Sequence, residues 1–384
     1  MATRARPKAT NAANATSPTA PDPAFPVVRI LTGAAFELIA ELAAFTSGPA
    51  RGSLESGKTW VREVRALAGG ELIRRVEQYG FGVYVELATV ALEADAPRDV
   101  DQLVRSIEAI DADPLRRRML GADSAMTRSM VSDGAIDRAI AGDRSARTEL
   151  ETTFGIQRAG RQAIGRLLDS DARELQAEIR SIVADWGARV SSRFAEGSLA
   201  AIARDAAARQ EQLAGGASGE RTGRNVLVGA TRGVSYDPPP WIASIAIVPT
   251  VAMRPFIVPV ELRDTVVFVC SVADEAFDAD PSAPPQRLVK VAAALGDERR
   301  LRILRLLRDE PLSASEIADR MGVDRTSLHH HLGILRSAGL LAIRDEGLGG
   351  WRYALREDGL EHVGSELVAY LRSSSADAID DGGS

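Results

Sequence analysis

Cysteine and histidine are scarce in this 384-residue chain, with one of the former and four of the latter. A single thiol, Cys270, excludes an intramolecular disulfide and any multi-thiolate metal site within one chain, and suits a reducing cytoplasm. The histidines, His329, His330, His331 and His362, all fall near the C-terminus. No Ser/His/Asp or Cys/His catalytic set can therefore be assembled upstream of them. Lysine is confined to Lys8, Lys58 and Lys290, so arginine supplies nearly all the positive charge. No run approaches about 18 consecutive apolar residues, the length needed to span a bilayer. Arg4, Arg6 and Lys8 are followed by Ala, Ser, Thr, Asn and Pro rather than by an apolar core. A secretory signal is thus not expected, and residues 1–26 read as a disordered tail.

What remains is an ordinary globular composition, 45% apolar and 26% charged, with room for two cores. The net charge of −6 neither requires nor forbids a nucleic acid, because binding depends on local charge. From Val27 to Gln212 the pattern is repeatedly helical. Leu175, Ile179, Ile182, Val183, Trp186, Val190, Phe194, Leu199 and Ile202 recur at spacings of three and four, with Gly197 as the expected break. Trp241–Val251 and Val258–Val272 are rich in Val and Ile and read as a small β-ribbon. Residues 273–285, acidic and Pro-containing, read as a linker, with Asp274, Glu275, Asp278 and Asp280 solvated. The expected fold is mainly α. A large helical domain with a small β element, 27–272, precedes a second domain at 286–372, and 373–384 is a polar tail.

The second domain carries the clearest signal. Leu288, Val291, Ala292 and Leu295 mark a first helix that Gly296 ends, and Asp297 caps a second containing Ile303, Leu304 and Leu307. Ser313 and Glu316 have the spacing of a capping box for a short helix. Gly322 then turns the chain, and Asp324 caps a third helix with the apolar stripe Leu328, Leu332 and Leu335. A short helix, a Gly turn and a striped second helix make a helix-turn-helix, whose second helix enters the DNA major groove by its N-terminal residues. Arg325, Thr326, Ser327, His329 and His330 are the groove-facing candidates. Two β-like runs around Glu346–Gly350 form a wing, where Arg344, Arg352 and Arg356 could reach phosphates.

These motifs stand in order: Ala294-Leu-Gly-Asp-Glu-Arg-Arg-Leu-Arg-Ile-Leu304, then Ser315-Glu-Ile-Ala, then Ser327-Leu-His-His-His-Leu-Gly-Ile-Leu-Arg-Ser-Ala-Gly-Leu-Leu341. The span Gln286–Arg372 resembles the arsenical-resistance-repressor (ArsR-like) family of winged-helix regulators. The resemblance implies a homodimer, with the first and last helices of the domain packed across a two-fold axis. It also implies that paired third helices recognise an operator in double-stranded DNA. Metal sensors of that family use a Cys-x-Cys pair or a His/Asp cluster on the dimer helices. Neither is visible, and His362 stands alone, so no metal or cofactor is expected. Consecutive residues on a helix point about 100° apart, so His329, His330 and His331 cannot share one ion. His331 is expected to be structural or to touch phosphate.

One rival reading remains. Gly52-Ser-Leu-Glu-Ser-Gly-Lys-Thr59 matches the phosphate-loop pattern letter for letter. It would make residues 27–272 a nucleotide-binding enzyme domain fused to a regulator. That chemistry needs a strand ending just before Gly52, whereas Glu41–Arg51 reads as a helix end and a turn. The favoured expectation is no enzyme, with the N-terminal domain serving an unknown sensing or interaction role for an effector or partner. A purely structural dimerisation domain is a third reading, which would leave no enclosed pocket among its helices.

Overall fold

The computed structural model describes residues 25–48, 51, 54–154, 158–215, 219–231, 234–262, 264–277, 284–345, 351–356, 360 and 363–372. Residues 1–24 and 373–384 of the expected tails, Gly52, Asp278, Asp280, the wing tip 346–350 and His362 lie outside them, as do the side chains of Arg325, Thr326 and Arg344.

The first helix among the described residues has no solvent-facing side. Strand β1 (Val27–Ile30) leads into α1 (Ala34–Thr46), in which every residue from Ala35 to Phe45 is buried. A helix buried on every side, here with Glu37 and Glu41 enclosed among apolar residues, belongs at the centre of a packed layer. Around it stand α2 (Gly57–Glu77), α3 (Phe81–Glu93) and α4 (Val100–Ala109), with α5 (Ala112–Met119) packed on α3. The short α6 (Ala125–Met130), α7 (Ala135–Ile140), α8 (Arg144–Thr153) and α9 (Arg158–Asp169) follow. Then α10 (Ala172–Trp186) buries the expected stripe of Leu175, Ile179, Ile182, Val183 and Trp186. Two further helical pieces, α11 (Ser192–Gly215) and α12 (Gly219–Ala230), complete this part.

The break between α10 and α11 is not at Gly197 but at a five-residue π-helical turn, Gly187–Ser191. The reason is packing. A Cβ on Gly187 would stand 2.7 Å from Val100 Cγ1 and 3.3 Å from Leu38 Cδ1, whereas one on Gly197 would meet nothing. Glycine is required where the helices close on one another, and the exposed glycine simply continues the helix.

The β element is larger than a ribbon and mostly parallel. Strands β3 (Ser244–Thr250), β4 (Val258–Leu262) and β5 (Thr265–Ser271) join β1 in the order β1-β3-β5-β4. β1 runs parallel to β3 and β3 parallel to β5, while only β4 is antiparallel to β5. All seven residues of β3 are buried, as a strand covered on both faces should be. Ala246 and Val248 join the α1–α5 core, while Ile245 and Ile247 join Val226 and Leu227 of α12 on the other face. Cys270 is fully buried in that second cluster, a core residue as expected.

The second domain comprises α13 (Gln286–Leu295), α14 (Glu298–Leu307), β6 (Leu312–Ser313), α15 (Ala314–Met321) and α16 (Arg325–Ser337). Strands β7 (Leu341–Asp345) and β8 (Trp351–Leu355) pair as the arms of the wing, and α17 (Val363–Arg372) closes it. It has its own core of Val291, Ile303, Leu307, Ile317, Leu328, Leu332 and Leu335. Ala292, expected on the inner face of α13, is exposed, and Ala294 takes its place.

The two parts are docked rather than strung on a solvated linker. A short strand from the first part, β2 (Val234–Ser235), pairs parallel with β7 through Val234 and Ile343. Ile343 then belongs to the cluster of Val226, Tyr236 and Phe268. Asp274, expected in open linker, accepts from Lys290 at 2.7 Å and pairs with Arg254. Glu55 binds the same two cations, at 2.8 Å from Arg254 and 3.1 Å from Lys290. Buried Arg254 and half-buried Lys290 beside it explain why Asp274 is drawn out of open solvent. Arg336 of α16 donates to the carbonyl oxygen of Pro255 and lies 5.6 Å from the centre of the Phe256 ring. Among the described residues, no helix is long and apolar enough to cross a membrane.

Candidate nucleic-acid interface

The helix-turn-helix is built by local capping. Ser313 Oγ accepts from the Glu316 backbone N–H at 3.3 Å, and Glu316 Oε2 accepts from the Ser313 N–H at 2.7 Å, so both halves of the capping box form. Gly322 sits at φ 64°, a left-handed conformation that stops α15 and that glycine adopts without strain. Asp324 Oδ1 accepts from the Ser327 N–H at 2.9 Å and starts α16. Leu328, Leu332 and Leu335 are buried, which fixes the rotation of α16 about its axis.

That rotation decides which candidates reach solvent. His329 and His330 are exposed and Ser327 is half-buried, all on the N-terminal half of α16. Arg325 and Thr326 occupy its first turn. His331 differs: it is 8% exposed, its Nδ1 has no hydrogen-bond partner, and burial lowers its pKa. A neutral ring inside the domain is unsuited to a phosphate, so of its two expected roles the structural one fits. Three consecutive histidines therefore point to different surroundings, and no described group of three or more His, Cys, Asp or Glu could hold a metal ion.

The wing adds a second role for one candidate. Arg352, expected to reach phosphates, is partly exposed, and its Nη1 donates to the Pro311 carbonyl and to Glu316 Oε2, both at 3.0 Å. It ties β8 to the capping box of α15. Register explains this, because Arg352 lies opposite Ser313 in the β6–β8 pair. Arg344 is opposite Arg352 in β7, and Arg356 follows β8 with its N–H bonded to Leu340.

At its far end α16 is clamped by Arg336, a residue with no place among the sequence candidates. Its C-terminal position on α16 could have drawn notice, but its partners, Pro255 and Phe256, are about 80 residues away and only folding brings them together.

The phosphate-loop pattern at 52–59 lies between two helices. α1 ends at Thr46, Leu54 is buried, Gly57 opens α2 and Lys58 is exposed. The described element just before it is a helix and not a strand, and Glu55 within the pattern is engaged with Arg254 and Lys290.

Comparison with known proteins agrees with this geometry. The sequence profile of a helix-turn-helix domain family matches residues 295–344. The HTH-type transcriptional regulator CmtR of Mycobacterium tuberculosis is 33% identical over 90 residues, 23% of this chain and 75% of its own length. The transcriptional activator HlyU of Vibrio cholerae is 38% identical over 60 residues, 16% of this chain and 56% of its own length. An uncharacterized HTH-type transcriptional regulator of Methanocaldococcus jannaschii is 32% identical over 69 residues, 18% of this chain and 78% of its own length. No solved structure matches the chain. Through its C-terminal domain, the chain belongs to the ArsR-like helix-turn-helix transcriptional regulators.

Proposed function

We propose that the chain reads double-stranded DNA as a homodimer with the N-terminal half of α16, under the control of its N-terminal domain. The observation that carries this reading is the division of α16. Its C-terminal end is clamped to the other domain through Arg336, while His329 and His330 at the other end are exposed among the described residues. A capped, positively polarised helix N-terminus suits phosphate and base edges.

Dimerisation is supported by apolar surface. Val289, Leu301, Leu367, Val368 and Leu371 on α13, α14 and α17 are 43–70% exposed. Apolar side chains gathered on neighbouring helices favour burial against a second copy. The position of the phosphate-loop pattern between two helices favours regulation over a nucleotide-dependent enzyme. A cavity of about 540 Å³ among the N-terminal helices favours a sensing domain over a purely structural one.

The test is selection of bound sequences from random duplexes by the full chain, followed by sedimentation of the protein–DNA complex. The expected result is an inverted-repeat site bound by two chains. Binding with no sequence preference, or one chain per site, would overturn the reading.

A further inference from the structure

The cavity lies where the end of α1, the start of α3, the segment after α5, and α9 converge. Its volume, about 540 Å³, falls within the range of small-molecule sites and is far above the voids that packed interiors tolerate. Phe81, Val83, Leu120, Ile164 and Leu167 make its apolar wall. The lining hydroxyls of Thr46 and Ser47 are engaged by their own helix, donating to the Leu42 and Ala44 carbonyls at 2.8 Å. Glu86 is different. Its Oε2 is buried and has no hydrogen-bond partner, and no ion pair to Glu86 occurs among the described residues. A buried polar atom without a partner destabilises the fold unless something else meets it.

The field around Glu86 is negative. Asp123 is close enough to act on it, and Arg118, the cation at 3.2 Å from Asp123, is shared with Glu93 at 2.7 Å. Burial first, and the charge of Asp123 second, push the Glu86 carboxyl up to about 8. A carboxyl in such a place gains most from a cation that arrives with its own apolar body. We propose that this cavity binds an apolar organic amine, with its protonated nitrogen paired to Glu86 and its hydrocarbon against Phe81, Ile164 and Leu167. Glu86 ionises as the ammonium enters, so one proton leaves to solvent at neutral pH. Binding itself is independent of the DNA-reading proposal. Only its effect on DNA rests on the reading of the N-terminal domain as a controlling part.

The experiment is calorimetry on the full chain with three ligands of one shape: 4-phenylbutylamine, 4-phenylbutan-1-ol and 4-phenylbutyrate. The amine is expected to bind at least about tenfold tighter than the alcohol, and the anion not at all. Glu86→Gln should remove that advantage while leaving alcohol binding unchanged. The variant replaces a carboxyl that burial already disfavours as an anion, so it should fold, which thermal unfolding checks. Ala163→Leu, which narrows the cavity from α9, should weaken amine and alcohol alike. Equal affinity of the three ligands, an amine affinity untouched by Glu86→Gln, tighter binding of the alcohol or anion, or no binding up to about millimolar would each overturn the proposal. Amine binding that leaves DNA affinity unchanged would keep the site and remove the controlling role of the domain.

Discussion

Glu37 and Glu41 lie one turn apart on α1, both fully enclosed. Glu37 accepts from the Val251 and Ala252 N–H groups at 2.9 and 3.0 Å. Glu41 accepts from Trp186 Nε1 at 3.0 Å and from Ser191 Oγ. Burial raises Glu37 to about 7 against the pull of its two backbone donors, and burial together with the charge of Glu37 raises Glu41 to about 8. Carboxyls raised in this way bind more protons folded than unfolded, so their stabilising effect is fully present below the ordinary carboxylate value of 4.5 and is lost as pH rises through about 7–8. The midpoint of thermal unfolding should therefore fall between pH 5 and pH 8.5, and Glu41→Gln should flatten that slope. A wild-type midpoint that rises over this range would show that these groups ionise freely. Arg352 gives a second test at this scale. Arg352→Ala removes two hydrogen bonds from a guanidinium, one of them an ion pair with Glu316, and should cost about 1 kcal/mol in denaturant unfolding. Unchanged stability with uniformly weaker DNA binding would return Arg352 to the phosphate role expected from the sequence. Neither glutamate could be recognised in the sequence as buried, because the donors of Glu37 lie more than 200 residues away.

Elements that depend on local signals were readable in advance. The capping box at Ser313, the left-handed Gly322 and the stripe of Leu328, Leu332 and Leu335 act within a few residues of one another, so the helix-turn-helix could be traced residue by residue. The parallel sheet could not. β1 is four residues long and half exposed on one side, and its partner β3 begins more than 200 residues later. Without that pairing, β3 and β5 look like a hairpin. The break between α10 and α11 failed for a related reason, since Gly187 and Gly197 are equivalent in sequence and differ only in what packs on them. Substitution separates them. Gly187→Ala should destabilise by about 1–3 kcal/mol through its contact with Val100. Gly197→Ala should stabilise by up to about 1 kcal/mol as an exposed helical glycine. Thermal unfolding of the pair checks both signs, and equal effects would contradict the packing argument.

At the scale of the whole molecule, the winged domain is held by β2 on β7, by Lys290 between Glu55 and Asp274, and by Arg336 on Pro255. Among the described residues, these contacts leave open the N-terminal half of α16 and, second, the exposed apolar residues of α13, α14 and α17. Leu371, 70% exposed, should lie in the second. Leu371→Glu should convert a dimer to a monomer in sedimentation without loss of fold, and a variant that stays dimeric would move the interface elsewhere. The first surface carries the central claim. Its most direct test is a titration of the selected duplex and of a scrambled one with wild type and Arg325→Ala at several salt concentrations. The expected result is a loss of roughly 1–3 kcal/mol per contact on the selected duplex, a relaxed preference at one base pair in each half-site, and little change on scrambled DNA. Equal affinity and unchanged sequence preference of the variant would show that α16 does not enter the groove by its N-terminal end.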